Sequence, residues 1–158
     1  MDAKLNAGKL AEGRQNHADS MAAEGEIPFG KALKLGTDPE KQVTAWDGAA
    51  SSDKFAGIAQ FSIAGDLDNS KYEDGDPVTV LKTGVIWVQL SADAASVTKG
   101  DPVAVRDDGL FEKGALSSGS SGSYGVDIEN AKFKSAGDAG DVVKVEIDLP
   151  SATNVVQL

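Results

Sequence analysis

The chain has 158 residues, which at about 150 residues per domain is one domain or two small halves. It has no cysteine and one histidine, which excludes a disulfide scaffold, thiol catalysis, cysteine-held metals and any site that needs two histidines. Lys and Arg number 15 against 25 Asp and Glu, a net charge of −10 that repels nucleic-acid phosphate and anionic lipid unless a basic patch is segregated, and none is visible.

Hydrophobic residues are 41 % of the chain, too many for a disordered tail. No apolar run approaches the roughly 18 residues of a membrane span. The N-terminus lacks the apolar core of a secretion signal, so the expectation is a soluble protein made in the cytoplasm without an export signal.

Residues 1–26 read as an extended arm. Leu5 and Leu10 are too sparse for a helical stripe, and Ser20 caps at most one short turn through Met21. From Ile27 the pattern is strand, turn, strand, giving a β domain over 27–150. Phe29 to Leu35 partly alternates. Val43 to Trp46 runs into the turn Asp47-Gly48. Phe55 to Ile63 is a mostly apolar strand with a glycine inside. Val78 to Leu81 and Val85 to Leu90, joined by Lys82-Thr83-Gly84, have the spacing of a hairpin. Val103 to Val105 leads through Asp107-Asp108-Gly109 to Leu110 and Phe111. Ser117 to Ser123 reads as a flexible loop. Gly125 to Ile128 and Val142 to Leu149 close the series. In the last run Val143, Val145, Ile147 and Leu149 alternate with charged residues, so one face is wet. The tail, 151–158, carries Val155, Val156 and Leu158. It either packs back on the core or adds to a neighbour's sheet edge.

Many short strands between Gly, Asp and Pro turns define an all-β fold, a barrel or sandwich of short antiparallel strands. The chain also echoes itself. Gly75-Asp76-Pro77-Val78 matches Gly100-Asp101-Pro102-Val103, with a weaker echo at Gly140-Asp141-Val142-Val143. Two related units, about 27–90 and 100–149, account for this; so does the general habit of Gly-Asp turns before strands. The motif is a strand starter: Gly takes a left-handed turn, the residue before Pro is extended, and Pro opens the strand where no donor is needed.

Catalytic signatures are absent. His17 lies in the polar arm, a poor place to hold a base near a nucleophile, and reads as an exposed or interface residue. There is no GxSxG, GxxxxGK[ST] or GxGxxG. Asp66 to Asp76 fails EF-hand spacing, with Lys71 where glycine is needed and Pro77 where glutamate is needed. A solvated acidic turn is the default there and a calcium loop the alternative. Trp46 and Trp87 sit in strands where core packing is the ordinary role, Trp46 being the one expected nearer solvent. No cofactor or metal is expected.

Several segments in order then carry a resemblance. Ile27-Pro28-Phe29-Gly30-Lys31-Ala32-Leu33 follows the arm. Phe55-Ala56-Gly57-Ile58-Ala59, Tyr72-x-x-Gly75-Asp76-Pro77-Val78, Gly84-Val85-Ile86-Trp87-Val88 and Val97-x-Lys99-Gly100-Asp101-Pro102-Val103 come next, then Asp108-Gly109-Leu110-Phe111. In that order they resemble the structural cement, or decoration, proteins of tailed-bacteriophage capsids, over roughly residues 8–149. The resemblance implies a β-rich, non-enzymatic virion protein on the outer capsid surface, stabilising contacts between major capsid protein subunits. Its partners would be that shell protein and itself, as a homotrimer or alternatively a dimer, with no nucleic acid or membrane. The candidate interface residues are Leu5, Leu10, His17, Met21, Ile27, Phe29, Trp46, Val155, Val156 and Leu158, with the arm as the main grip. The competing class is a soluble glycan- or ligand-binding β module.

Overall fold

The structure is a computed structural model, and it describes residues 7–13, 16–47, 54–114, 126–149, 153–154 and 156–157. All regular structure in them is β. The strands are β1 (His17–Ala23), β2 (Ile27–Pro28), β3 (Ala32–Leu35), β4 (Gln42–Ala45), β5 (Lys54–Gln60), β6 (Lys71–Tyr72) and β7 (Pro77–Gln89). They continue with β8 (Pro102–Val105), β9 (Phe111–Lys113), β10 (Val126–Phe133), β11 (Val142–Asp148), β12 (Thr153–Asn154) and β13 (Val156–Gln157).

The pairings close two rings. In the first, β5 pairs β3, β3 pairs β4, β4 pairs β1, β1 pairs β7, and β7 returns to β5. In the second, β10 pairs β8, β8 pairs β9, a parallel bridge joins Phe111 of β9 to Leu90 at the end of β7, β7 pairs β11, and β11 returns to β10. Each ring has five members and one parallel contact, β1 with β4 in one and Leu90 with Phe111 in the other. The strand order and sense are the same in both. Strand β7 belongs to both rings: residues 77–83 pair β1 in the first and residues 83–89 pair β11 in the second.

This corrects the hairpin expected at Lys82-Thr83-Gly84. The chain runs straight through. Thr83 is opposite His17 on one side and Asp148 on the other, and Gly84 is opposite Ile147. Partners on both edges hold the segment extended, and a two-strand turn would leave those backbone groups unpaired.

The arm is also corrected. Residues 17–23 are strand β1, antiparallel to β7 from Thr83 to Pro77. The segment before it follows the same edge: the N–H of Gly8 donates to Trp87 O, that of Trp87 to Lys9 O and that of Ala11 to Val85 O. Its side chains look arm-like because β1 is exposed over much of its length, so no apolar alternation advertises it. The tail pairs back on its own chain, β12 with β5 and β13 with β10.

The core divides with the rings. Ile27, Leu33, Val43, Tyr72, Val78 and Val80 fill the first, with Phe29 edge-on to both Phe61 and Tyr72. Ile86, Val88, Val103, Phe111, Phe133, Val145 and Ile147 fill the second, and that cluster extends to Phe55, Ile58, Leu81 and Trp46 of the first unit, so the barrels share one continuous apolar joint. Trp46 is 2 % exposed, against the expectation that it lies nearer solvent, while Trp87 is half-buried with Lys144 Nζ 5.4 Å from its ring centre. Trp46 directly follows β4, and the Asp107–Gly109 turn packs against its backbone: a Cβ on Gly109 would lie 2.9 Å from Trp46 O, Gly109 O accepts from the N–H of Ala32, and Lys31 Nζ donates to Asp108 O.

Candidate interaction surface

The Gly-Asp turns are one device used three times. In Glu73–Asp76, Thr98–Asp101 and Asp138–Asp141 the N–H of the first residue donates to the carboxylate of the last at 2.9 Å, and the N–H of the last donates back to the first carbonyl. The glycine between them has φ of +86°, +97° and +81° respectively. The exchange launches β7, β8 and β11. The bond from Thr98, helped by Lys113, holds the Asp101 carboxyl below its ordinary range. Asp66 is held down likewise, first by the Asn69 side chain and then by the N–H groups of Asn69 and Asp68. Asp74 accepts from the N–H of Gly25. Much of the acidity of the 66–76 segment is therefore spent on turn chemistry. Among the described residues no three His, Cys, Asp or Glu side chains are grouped to hold a metal ion.

Among the described residues two ionic groups are buried. Glu112, with a 2 % exposed side chain, accepts from Arg106 at 2.8 Å. Lys82 donates to Ala56 O; burial pushes its ammonium below the usual lysine range, and the Asp19 charge opposes this. Lys82 borders a cavity of about 400 Å³ with Asp19, Ser20, Met21, Leu35, Pro39 and Glu40. Its lining mixes both charge signs around a lysine already engaged by a backbone carbonyl, so it offers no convergent set of free groups.

The expected interface residues separate on the structure. Ile27, Phe29 and Trp46 are buried at 0, 7 and 2 % in the chain's own core and present no surface to a partner. Leu10 and Met21 are half-buried, packed on the second and first core respectively. His17 is well exposed, with Nε2 3.2 Å from Asp19. Leu5, Val155 and Leu158, and the Ser117–Ser123 loop, lie outside the described residues, and Val156 is described only by its pairing with Asp127.

A surface feature appears that the sequence reading missed. Strand β5 ends at Gln60 rather than Ile63, because Ser62 starts a turn: Ala64 N–H donates to Ser62 Oγ and Gly65 N–H to Ser62 O. Ile63 is thereby thrown outward at 84 % exposure, with Leu67 at 49 % on the same loop. The signal available was Ser62-x-x-Gly65 directly after the apolar run, a turn signature that ends a strand.

Two shared-strand barrels, launched by self-satisfied turns and pinned by a buried joint, define an all-β structural module. A family model described as structural cement protein (E217 gp24/Pam3 gp6) matches residues 2–148, nearly the whole chain. The protein belongs to this family of phage structural cement proteins, and is a structural protein of the virion. The fold is also similar to a chain in the capsid of Myoviridae Phage XM1, with a TM-score of 0.70 at 20 % identity, covering 90 % of this chain and 89 % of that one. No curated protein matches.

Proposed function

We propose that the protein binds the outer surface of a phage capsid in many copies and stabilises contacts between major capsid protein subunits, itself assembled as a homo-oligomer, a trimer before a dimer. The observation that carries this reading is the family match across both barrels, residues 2–148. The physical logic agrees. A cement protein acts by burying interface, about 1,600 Å² for a standard one, and linked contacts on one shell add avidity. A net charge of −10 suits a face turned away from packaged nucleic acid.

The test is on particles. Nuclease-resistant particles are banded on a density gradient, and this chain is quantified by mass spectrometry against the shell protein. A fixed ratio that follows the shell band is the expected result. Absence from the band refutes the proposal.

A further inference from the structure

We propose that the 61–70 loop is the contact that seats this protein on the shell, inserting Ile63 and Leu67 into an apolar pocket of the major capsid protein whose rim is basic. This rests on the capsid reading above. Ile63 and Leu67 are the exposed large hydrophobics of the described residues, and they stand four positions apart on one loop of a strongly acidic chain. Isolated exposed apolar residues are ordinary; here both exposed large ones lie on one loop that its own hydrogen bonds hold.

The loop is built. At its start Phe61 N–H donates to Gly8 O, and Lys9 Nζ stands 5.4 Å over the Phe61 ring. Gly65 lies so close to the Phe29 ring and Lys71 O that a Cβ there would come within 2.9 Å of each. Asp66 and Lys71 exchange backbone hydrogen bonds, and the Asp66 carboxylate takes the N–H groups of Asp68 and Asn69. A loop already held in its form loses little freedom on docking.

Charge selects the occupant. The acids on and beside the loop are Asp66, Asp68, Glu73, Asp74, Asp76 and Glu26. Among the described residues the nearby bases are Lys71, which pairs Glu26 at 2.8 Å, and Lys9. A second copy docking loop to loop would set acid on acid, which is unfavourable. A basic-rimmed pocket is complementary.

The experiment uses the full chain and purified shells that lack it, with bound copies per shell measured by pelleting against free concentration. Ile63→Ser and Leu67→Ser each raise the half-saturating concentration about tenfold or more, with melting temperatures unchanged. Wild-type binding also weakens as salt rises. Lys132→Ala, on β10 in the other barrel, binds as wild type. If wild type saturates shells and the double Ser variant does so equally, the loop is not the contact, while the capsid reading stands. If wild type does not bind shells, the capsid reading falls and the loop proposal with it. If the Ser variants instead dissolve an oligomer of the free protein in sedimentation, the loop's occupant is a second copy and the proposal is overturned.

Discussion

Closure of the first barrel depends on Gly57 in β5, and replacing it with alanine gives a sharp test. Gly57 has φ of +142°, and a Cβ there would lie 2.5 Å from Leu81 O and 2.8 Å from Val80 Cγ1; against 3.4 Å for ordinary contact, the first is a shortfall of about 0.9 Å. The obstructing atom is backbone of β7 where β5 pairs it through Ile58 and Leu81, so relief means opening the ring. Backbone strain costs about 1–3 kcal/mol. Forced packing adds about 1–3 kcal/mol. Gly57→Ala should therefore destabilise by about 2–6 kcal/mol, a large share of the 5–15 typical of a domain. At about 2–4 °C per kcal/mol for this chain length, the melting temperature falls by about 4–24 °C. Gly75→Ala is the internal control: φ is +86°, but nothing lies within 4 Å of the added Cβ, so only the strain remains. Both variants share the entropy gained by stiffening the unfolded chain, which cancels in their difference. Urea unfolding followed by the fluorescence of buried Trp46 reads both. Equal midpoints at equal slopes would refute the reasoning, because the contact at Leu81 O would then cost nothing.

Arg106→Met should cost about 3–5 kcal/mol in urea unfolding by leaving Glu112 buried without its partner, and adding Glu112→Leu should recover most of the loss; a single-variant cost under about 1 kcal/mol contradicts the burial of the pair. Asp101 has its folded carboxyl below the ordinary 3.8, so its contribution is present above that value and is lost as pH falls through the lower folded one. Midpoints measured across the acid range should thus fall below about pH 4, and less steeply in Asp101→Asn; parallel curves count against the turn. Lys82 has its folded value below the ordinary 10.5, so the unfolded chain holds more protons between the two and stability rises with pH there. Lys82→Met should flatten that alkaline rise, and an unchanged slope rejects the buried-ammonium account. Finally, a chain starting at Ile27 loses β1 from between β4 and β7 and should not fold, losing the cooperative circular dichroism melt of the full chain. A cooperative melt of the shorter chain would make β1 dispensable.

What the amino-acid sequence determines by itself is local. Gly75-Asp76, Gly100-Asp101 and Gly140-Asp141 each encode a left-handed glycine followed by a carboxylate that reaches three residues back, so the turn and the strand start are legible without neighbours. The clean alternation of β11 and the absence of any helical period follow from the same short-range order and suffice for the all-β class. Pairing partners are decided elsewhere. Nothing in His17–Ala23 marks a strand, because its faces are not patterned; it becomes one because β7 and β4 offer unpaired edges. Lys82-Thr83-Gly84 looks like a turn and stays extended because β1 and β11 hold it from both sides. Trp46 and Ile63 depart from expectation for the same reason: Trp46 joins the apolar cluster that the second unit, far along the chain, supplies, while a turn at Ser62 ends the strand before the isoleucine reaches the core. Backbone torsions are set by a few neighbouring atoms, but burial is set by whichever distant segments close the rings, and only the tertiary structure names them.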